Sequence, residues 1–395
     1  KSTAANLIRE VEYYSLQEAV DCAYDGATIT LRKITDSDAV SINKSISIDF
    51  NGKSVYGDIN VTSGTVRLTG GAYDRNLSAS GSSTNVIVSG LEMFSGSVKA
   101  SSGAKISITG GKYKKIELTE EGGEIEISGG SFKTDPTAYL APGYVAVKST
   151  DASGAELWTV ISADQNEAVL TDTVHGVKDA GTLQDMMRKA SDNDIVVLLK
   201  KIETFGTVTA DNGNSFSLDL NEKILKKSLN LSNATTLHLM NGVLDEGAAV
   251  GGNSKLLIDN QLRVHVTGNI TADGTVEISN PETVFYGTFT AGKKGTVKLS
   301  AGKYRNKPAQ SFIAPECAVS DNPIDSYYVV ASAGAKVTAL GEISYYYDLQ
   351  SAFNEITKSQ LYDNAEVELL KDEEGKIVIN NTSDNSVHYQ LVFGE

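Results

Sequence analysis

The chain repeats on two length scales, and the shorter one leaves few folds open. Apolar strand positions fall at Ile48, Leu68, Val88, Ile108 and Ile127, and again at Leu218, Leu239, Ile258, Ile278 and Leu299. The steps between them are 20, 20, 20 and 19 residues, then 21, 19, 20 and 21. A period of this length is the mark of a solenoid, in which each turn of chain packs only on its neighbours. Leucine-rich repeats share the period but need a fixed Leu scaffold, a core Asn and a helical stretch. Here the strand positions are mostly Ile, Val and Leu without that frame, and no helical pattern follows them. The alternation in Val66-Arg67-Leu68, Ile106-Ser107-Ile108 and Ile125-Glu126-Ile127 puts one face inward and one outward. We therefore expect an all-β chain of tandem, short, right-handed parallel β-helix modules. A second apolar set, Val61, Val98 and Leu118, then Leu231, Ile270 and Phe289, gives at least two strands per turn. Each copy carries five turns, and strand stacking at roughly 4.8 Å makes such a coil roughly 25 Å long.

The residues after each strand give the physical reason for the winding. They are Gly70, Gly90, Gly110 and Gly129 in the first copy, and Asn241, Asn260, Asn280 and Ala301 in the second. Gly and Asn share a tolerance of left-handed backbone angles, as a tight corner between strands requires. Thr69, Ser89, Thr109 and Ser128 precede the corners and are placed to form a hydroxyl ladder.

On the longer scale, Leu-Gln pairs recur at Leu16, Leu183 and Leu349, 167 and then 166 residues apart. Each opens a helix. Ser15, Thr182 and Asp348 stand at the N-cap, and Ser15 with Glu18 forms a capping box. The helix over 16–24, with Leu16, Ala19, Val20 and Ala23 on one face, is suited to cover the open end of a coil. An apolar strand follows each helix, at 27–31, 194–199 and 365–370. Residues 135–160 lack the short repeat and are suited to close the other end. A matching trailing landmark runs from Gly129-Gly130-Ser131-Phe132 to Trp158 and from Ala301-Gly302-Lys303-Tyr304 to Tyr328. We place the modules at 1–162 and 163–332, with 333–395 the start of a third copy that stops short of its trailing landmark.

With 35 basic and 50 acidic residues, the formal charge is −15. Such a surface repels phosphate backbones, anionic lipid and uronate polymers, unless a local basic patch intervenes. We expect no nucleic-acid partner and no membrane insertion, since the apolar runs fall far short of a span. Only Cys22 and Cys317 occur. If the modules line up end to end they are too distant to bridge, so free thiols are expected.

The Leu-Gln-x-Ala helix, the segment Asp49-Phe50-Asn51-Gly52-Lys53 and the Thr-Gly-Gly-x-Tyr turns resemble the pectin-lyase-like β-helix repeats of uncharacterised bacterial surface proteins, notably from gut anaerobes. The resemblance spans nearly the whole chain and specifies a scaffold rather than an activity. It implies that a lyase would carry calcium-binding carboxylates on neighbouring turns with an Arg or Lys base, and a hydrolase clustered Asp pairs. The outward strand positions read Ser47, Arg67, Ile87, Ser107 and Glu126, then Ser217, His238, Leu257, Glu277 and Lys298. No adjacent turns there share a carboxylate pair, so we assign no catalytic, metal or cofactor-binding residues on this face.

Asp49 and Asp219 recur, each two residues before an Asn, and we read them as Asx turns rather than metal or acid sites. The histidines His175, His238, His265 and His388 are dispersed; His238 and His265 are placed two turns apart as surface residues. Tyr73, Tyr113 and Phe132, three residues beyond their corner glycines, are read as an inward core ladder rather than a sugar-stacking surface. Tyr13, Tyr14 and Tyr345 to Tyr347 precede cap helices; junction packing is the simple reading and a glycan platform the sharper one. Asn-x-Ser/Thr triplets at Asn43, Asn76 and Asn269 follow from composition alone. The expected function is that of a non-catalytic extracellular stalk or adhesin whose ligand is a glycan or a surface protein, its export signal and anchor lying outside this sequence. The alternative is a polysaccharide-active lyase or hydrolase, and a third expectation is self-association through the incomplete third copy.

Overall fold

The computed structural model describes residues 11–35, 38–114, 116–151, 153–172, 176–358, 365–371 and 390–393. Strand makes up 52% and helix 8%, arranged as a right-handed parallel β-solenoid. Two compact units are distinguished, one formed by 1–166 with 172–177 and the other by 167–171 with 178–395.

In the first unit every complete turn carries three strands, one more than the spacing alone requires. The first sheet stacks Ala27–Thr30, Ile46–Asp49, the leading halves of Gly64–Tyr73 and Thr84–Met93, Lys105–Ile108 and Glu124–Ile127, all parallel. The strand after the cap helix is thus itself a rung, giving six rungs where the apolar spacing counts five. The second sheet holds Ser54–Val55, the trailing halves of the two long strands, Gly111–Tyr113 and Gly130–Phe132. The third holds Val40–Ile42, Ile59–Val61, Leu77–Ser80, Ser97–Ser101 and Glu117–Glu121. Val61, Val98 and Leu118 all lie on this third sheet.

The second unit repeats the plan. Its first sheet runs from Ile195–Leu198 through Ser215–Leu225, Thr236–Leu244, Lys255–Ile258 and Thr275–Ile278 to Thr296–Leu299, again six rungs. Inward residues fill each coil. Ile48, Leu68, Val88, Ile108 and Ile127 are buried in one core, and Leu218, Leu239, Ile258, Ile278 and Leu299 in another. Burial of such side chains is worth about 1.5–3 kcal/mol each, so the one-in, one-out alternation is the main driving force for winding.

The corner chemistry is more varied than the sequence implies. Gly70, Gly90 and Asn241 have left-handed φ of 59°, 70° and 57°. Gly110, Gly129, Asn260, Asn280 and Ala301 do not; there the left-handed residue comes one position later, at Gly111, Gly130 and Gly302 (φ 124°, 105° and 115°), or is absent. Asn260 and Asn280 instead accept hydrogen bonds from the backbone N–H of Leu262 (2.7 Å) and Glu282 (2.8 Å), forming Asx turns. At Gly71, φ is 155° and a Cβ would lie 2.5 Å from both the Lys53 carbonyl oxygen and the Phe50 Cβ, so this corner admits only glycine. Of the hydroxyls before the corners, those of Thr109 and Ser300 donate to the carbonyls of Val88 (3.2 Å) and Ile278 (3.3 Å) one rung earlier.

Three helices, α1 (Leu16–Cys22), α2 (Leu183–Lys189) and α3 (Leu349–Lys358), start where the Leu-Gln pairs place them. Ser15 Oγ accepts from Glu18 N–H (3.1 Å), Thr182 Oγ1 from Asp185 N–H (3.1 Å) and Asp348 Oδ1 from Ser351 N–H (2.7 Å). Glu18 reaches back to the N–H of Tyr14 rather than that of Ser15. The Gln of the repeated pair has a structural task. Gln17 accepts from Ser41 N–H (2.7 Å) and donates to Ser41 O (3.2 Å), and Gln184 does the same to Thr209 (2.9 and 2.8 Å). Its amide thereby satisfies the free edge of the third sheet as another strand would.

Antiparallel strands meet the trailing end of each unit's stack and the leading rung of the second. In the first unit Gly130–Phe132 pairs antiparallel with Glu156–Ser162, which folds back on Tyr144–Thr150. In the second, Gly302–Tyr304 pairs with Tyr328–Ser332, which pairs with Cys317–Val319. On the leading side, Ala168–Asp172 pairs antiparallel with Ile195–Leu198, and Ala335–Ala339 with Glu366–Leu369. Ala335, Val337, Leu349, Phe353, Ile356 and Val367 build a small separate core around α3, where Glu366–Leu369 also takes Gln390–Phe393 as a parallel neighbour. Both cysteines are free, and no helix among the described residues is long and apolar enough to cross a membrane.

Candidate functional site

The outward row of the first sheet has the register read from the sequence. Ser47, Arg67, Ile87, Ser107 and Glu126 are successive partners, as are Ser217, His238, Leu257, Glu277 and Lys298. The row brings no two carboxylates onto adjacent rungs. Lys105, two residues before Ser107 of the row, pairs with Glu126 at 2.6 Å.

Asp49 and Asp219 are Asx turns: each accepts from an N–H two residues on, of Asn51 at 2.8 Å and Asn221 at 2.6 Å. Asn51 and Asn221 then donate to Leu31 and Leu198 carbonyls on the first rung, which accounts for the recurring Asp-x-Asn. Burial raises the Asp219 carboxyl above its ordinary range. His238 faces Asp259 at 3.0 Å. His265 pairs with Val243 on the second sheet, one rung on from His238 and not two, because the second-sheet strand closes the same turn. His175 and His388 lie outside the described residues. Among the described residues, no group of three or more His, Cys, Asp and Glu side chains assembles.

The inward aromatics are core. Tyr73, Tyr113 and Phe132 are buried, and the last two stack at 4.6 Å between ring centroids. Their hydroxyls are satisfied locally, Tyr73 donating to Asn76 O and Tyr113 to Gly110 O, and burial pushes both phenols well above the ordinary range. Tyr13 and Tyr14 stay exposed.

Two surface features remain. The first is a cleft of about 580 Å³ in the second unit, lined by Tyr345, Tyr346 and Tyr347 together with Lys307, Asp321 and Glu355. The tyrosine triplet divides its work: Tyr346 also packs against the α3 core, while Lys371 Nζ stands 5.1 Å from the Tyr347 ring centre. Lys307 lies 3.7 Å from Asp321 and 5.7 Å from the Tyr328 ring. Aromatic faces beside hydrogen-bonding side chains are what a sugar ring needs, its C–H face on the ring and its hydroxyls at the rim.

The second is a cluster that the sequence reading missed. Tyr286 follows the second-sheet strand Val284–Phe285, and Arg305 follows the next, Gly302–Tyr304. Tyr327 is presented by a tight turn in which Ile324 and Tyr327 exchange backbone hydrogen bonds of 2.7 and 3.0 Å. Asp325 and Ser326 take left-handed φ of 48° and 73°, as a type I′ turn demands. The Tyr286 and Tyr327 hydroxyls meet at 3.0 Å with rings edge-on. Arg263 Nε donates to His265 Nε2 at 2.7 Å, and the His265 ring lies 6.2 Å from Tyr286. Burial lowers the His265 pKa and Arg263 lowers it further, so the ring is neutral and can accept. The one available signal was the 19-to-21-residue step linking His265, Tyr286 and Arg305.

A scan of family models and searches of curated proteins and of solved structures find no match to this chain.

Proposed function

We propose that this chain works outside the cell as a non-catalytic repeat protein, a spacer and adhesin whose ligand is a glycan. The observation that supports it is the tyrosine-lined cleft, where Tyr345 and Tyr347 stand beside Lys307, Asp321 and Glu355. The solenoid sets each side chain at a fixed height along a stiff coil, which suits display. The extracellular setting rests on the resemblance of the repeats to those of bacterial surface proteins. Weak sites on successive copies would add through avidity.

The test is a glycan array probed with the whole chain, beside an assay of polysaccharides with calcium. Binding without release of reducing or unsaturated ends, weakened in a Tyr345→Ala, Tyr347→Ala double variant, supports the proposal. Release of such ends would replace it with the enzymatic reading, and absence of any saccharide binding would defeat it.

A further inference from the structure

We infer that the cluster of Arg263, His265, Tyr286, Arg305 and Tyr327 is an anion-reading subsite for a glycan that carries isolated acidic substituents, a sulfate ester or a carboxylate, on an otherwise neutral chain. This rests on the glycan-binding reading above and deepens it. The chain has 15 more acidic than basic residues. Yet among the described residues neither Arg263 nor Arg305 has a carboxylate within ion-pair distance. Arg305 donates only to the Ser326 carbonyl (3.1 Å) and Arg263 only to His265, so each guanidinium keeps N–H donors free.

The first copy shows what a quenched version looks like. Lys133 follows Gly130–Phe132 just as Arg305 follows Gly302–Tyr304, and there Asp151 pairs with the cation. The second copy leaves its cation without a carboxylate partner and ties a further one, Arg263, to the same tyrosine through His265. Both guanidiniums act on the Tyr286 hydroxyl, pulling against the hydrogen bond with Tyr327 that raises it. Charge and aromatic ring therefore occupy one patch, the guanidiniums suited to a fork on sulfate or carboxylate oxygens and the exposed Tyr286 face to a sugar ring. Either guanidinium offers a fork to a single anionic group beside Tyr286. A densely charged polymer running past the cluster meets a chain of net charge −15 and is repelled.

Titration calorimetry of the whole chain separates the possibilities. The probes are a neutral tetrasaccharide, the same sugar with one sulfate ester, the same sugar with one carboxylate, and polygalacturonate. We expect a singly charged form to bind at least about tenfold tighter than the neutral one, with the two charged forms telling sulfate from carboxylate. Arg263→Gln and Arg305→Gln should each abolish that advantage and leave neutral affinity unchanged, whereas Lys298→Gln, on the outward row of the first sheet, should leave both intact. Equal affinity for charged and neutral sugars, an advantage that survives both arginine variants, or tightest binding of polygalacturonate would overturn the subsite while leaving the glycan-binding reading standing. Failure to bind any saccharide removes both.

Discussion

Between its first and second sheets the first copy turns on Gly70 and Gly90 with left-handed φ, whereas the second turns on Asn241 at φ 57° and then on Asn260 and Asn280, whose side chains accept from the backbone two residues ahead. The corner falls at the same place, and both its dihedrals and its cause differ. In one copy the absence of a Cβ permits the corner; in the other a side-chain amide builds it. What the repeat preserves is therefore the place of the corner between the two sheets, and more than one dihedral path reaches it. The Leu-Gln helix shows the opposite behaviour. There the side chain must both donate and accept, and Gln17 and Gln184 are identical.

The strongest way to break this comparison is to put a side chain where neither device can work. Gly71→Val should cost about 3 kcal/mol or more in urea unfolding, since its Cβ would meet backbone at 2.5 Å. Gly52→Ala has left-handed φ of 70° but open space around it, and should cost only about 1 kcal/mol. Equal losses would show that φ alone matters.

Glycine replacement then separates the two kinds of Asn. Asn280 is buried, accepts from Glu282 and donates to Leu262 at 2.6 Å, so Asn280→Gly should cost about 2 kcal/mol. Asn241→Gly, at a corner glycine itself favours, should stay within about 1 kcal/mol by the same measurement. If Gly rescues both sites equally, the Asx turn contributes nothing. A third variant addresses the residue that did not diverge. Gln184→Glu loses the donor to Thr209 and sets a carboxylate against a carbonyl, for a loss of about 1–2 kcal/mol in thermal unfolding near neutral pH. A neutral outcome would mean the edge is indifferent to its cap.

The smallest effect concerns the cation after the last rung. The hydrogen bond from Lys133 holds the Asp151 carboxyl well below its ordinary value of 3.8, so the pair favours the folded state above that pH and loses its contribution as pH falls toward the folded value. Asp151→Asn should therefore lower the urea midpoint modestly at pH 6 and by less at pH 2. A gap of the same size at both pH values would place the effect in packing rather than charge.

The rungs were legible because alternation of period two sits inside a period near 20, which fixes both which residues face inward and which rung follows which. Ser47, Arg67, Ile87, Ser107 and Glu126 could be aligned on that basis alone. The second sheet was not, since strands of two or three residues such as Ser54–Val55 and Gly111–Tyr113 carry too little alternation to register. The antiparallel strands at 168–172 and 335–339 escaped because their pairing is decided by contact with a rung elsewhere in the chain. Of the candidate sites, the tyrosine triplet was visible as a run of identical residues. Arg263, Arg305 and Tyr327 were not, because they meet only once the second-sheet strands and the trailing hairpin are in place.

Crosswise strands at the finish of each copy bear on synthesis. A growing parallel coil offers its newest rung to whatever strand arrives next, including one from a neighbouring nascent chain. Once residues 144–162 have left the ribosome, Glu156–Ser162 can occupy that position and terminate the template. The second copy then emerges with the newest rung of the first already paired, so duplicating such a cassette lengthens the protein without lengthening the interval during which a raw edge is on offer.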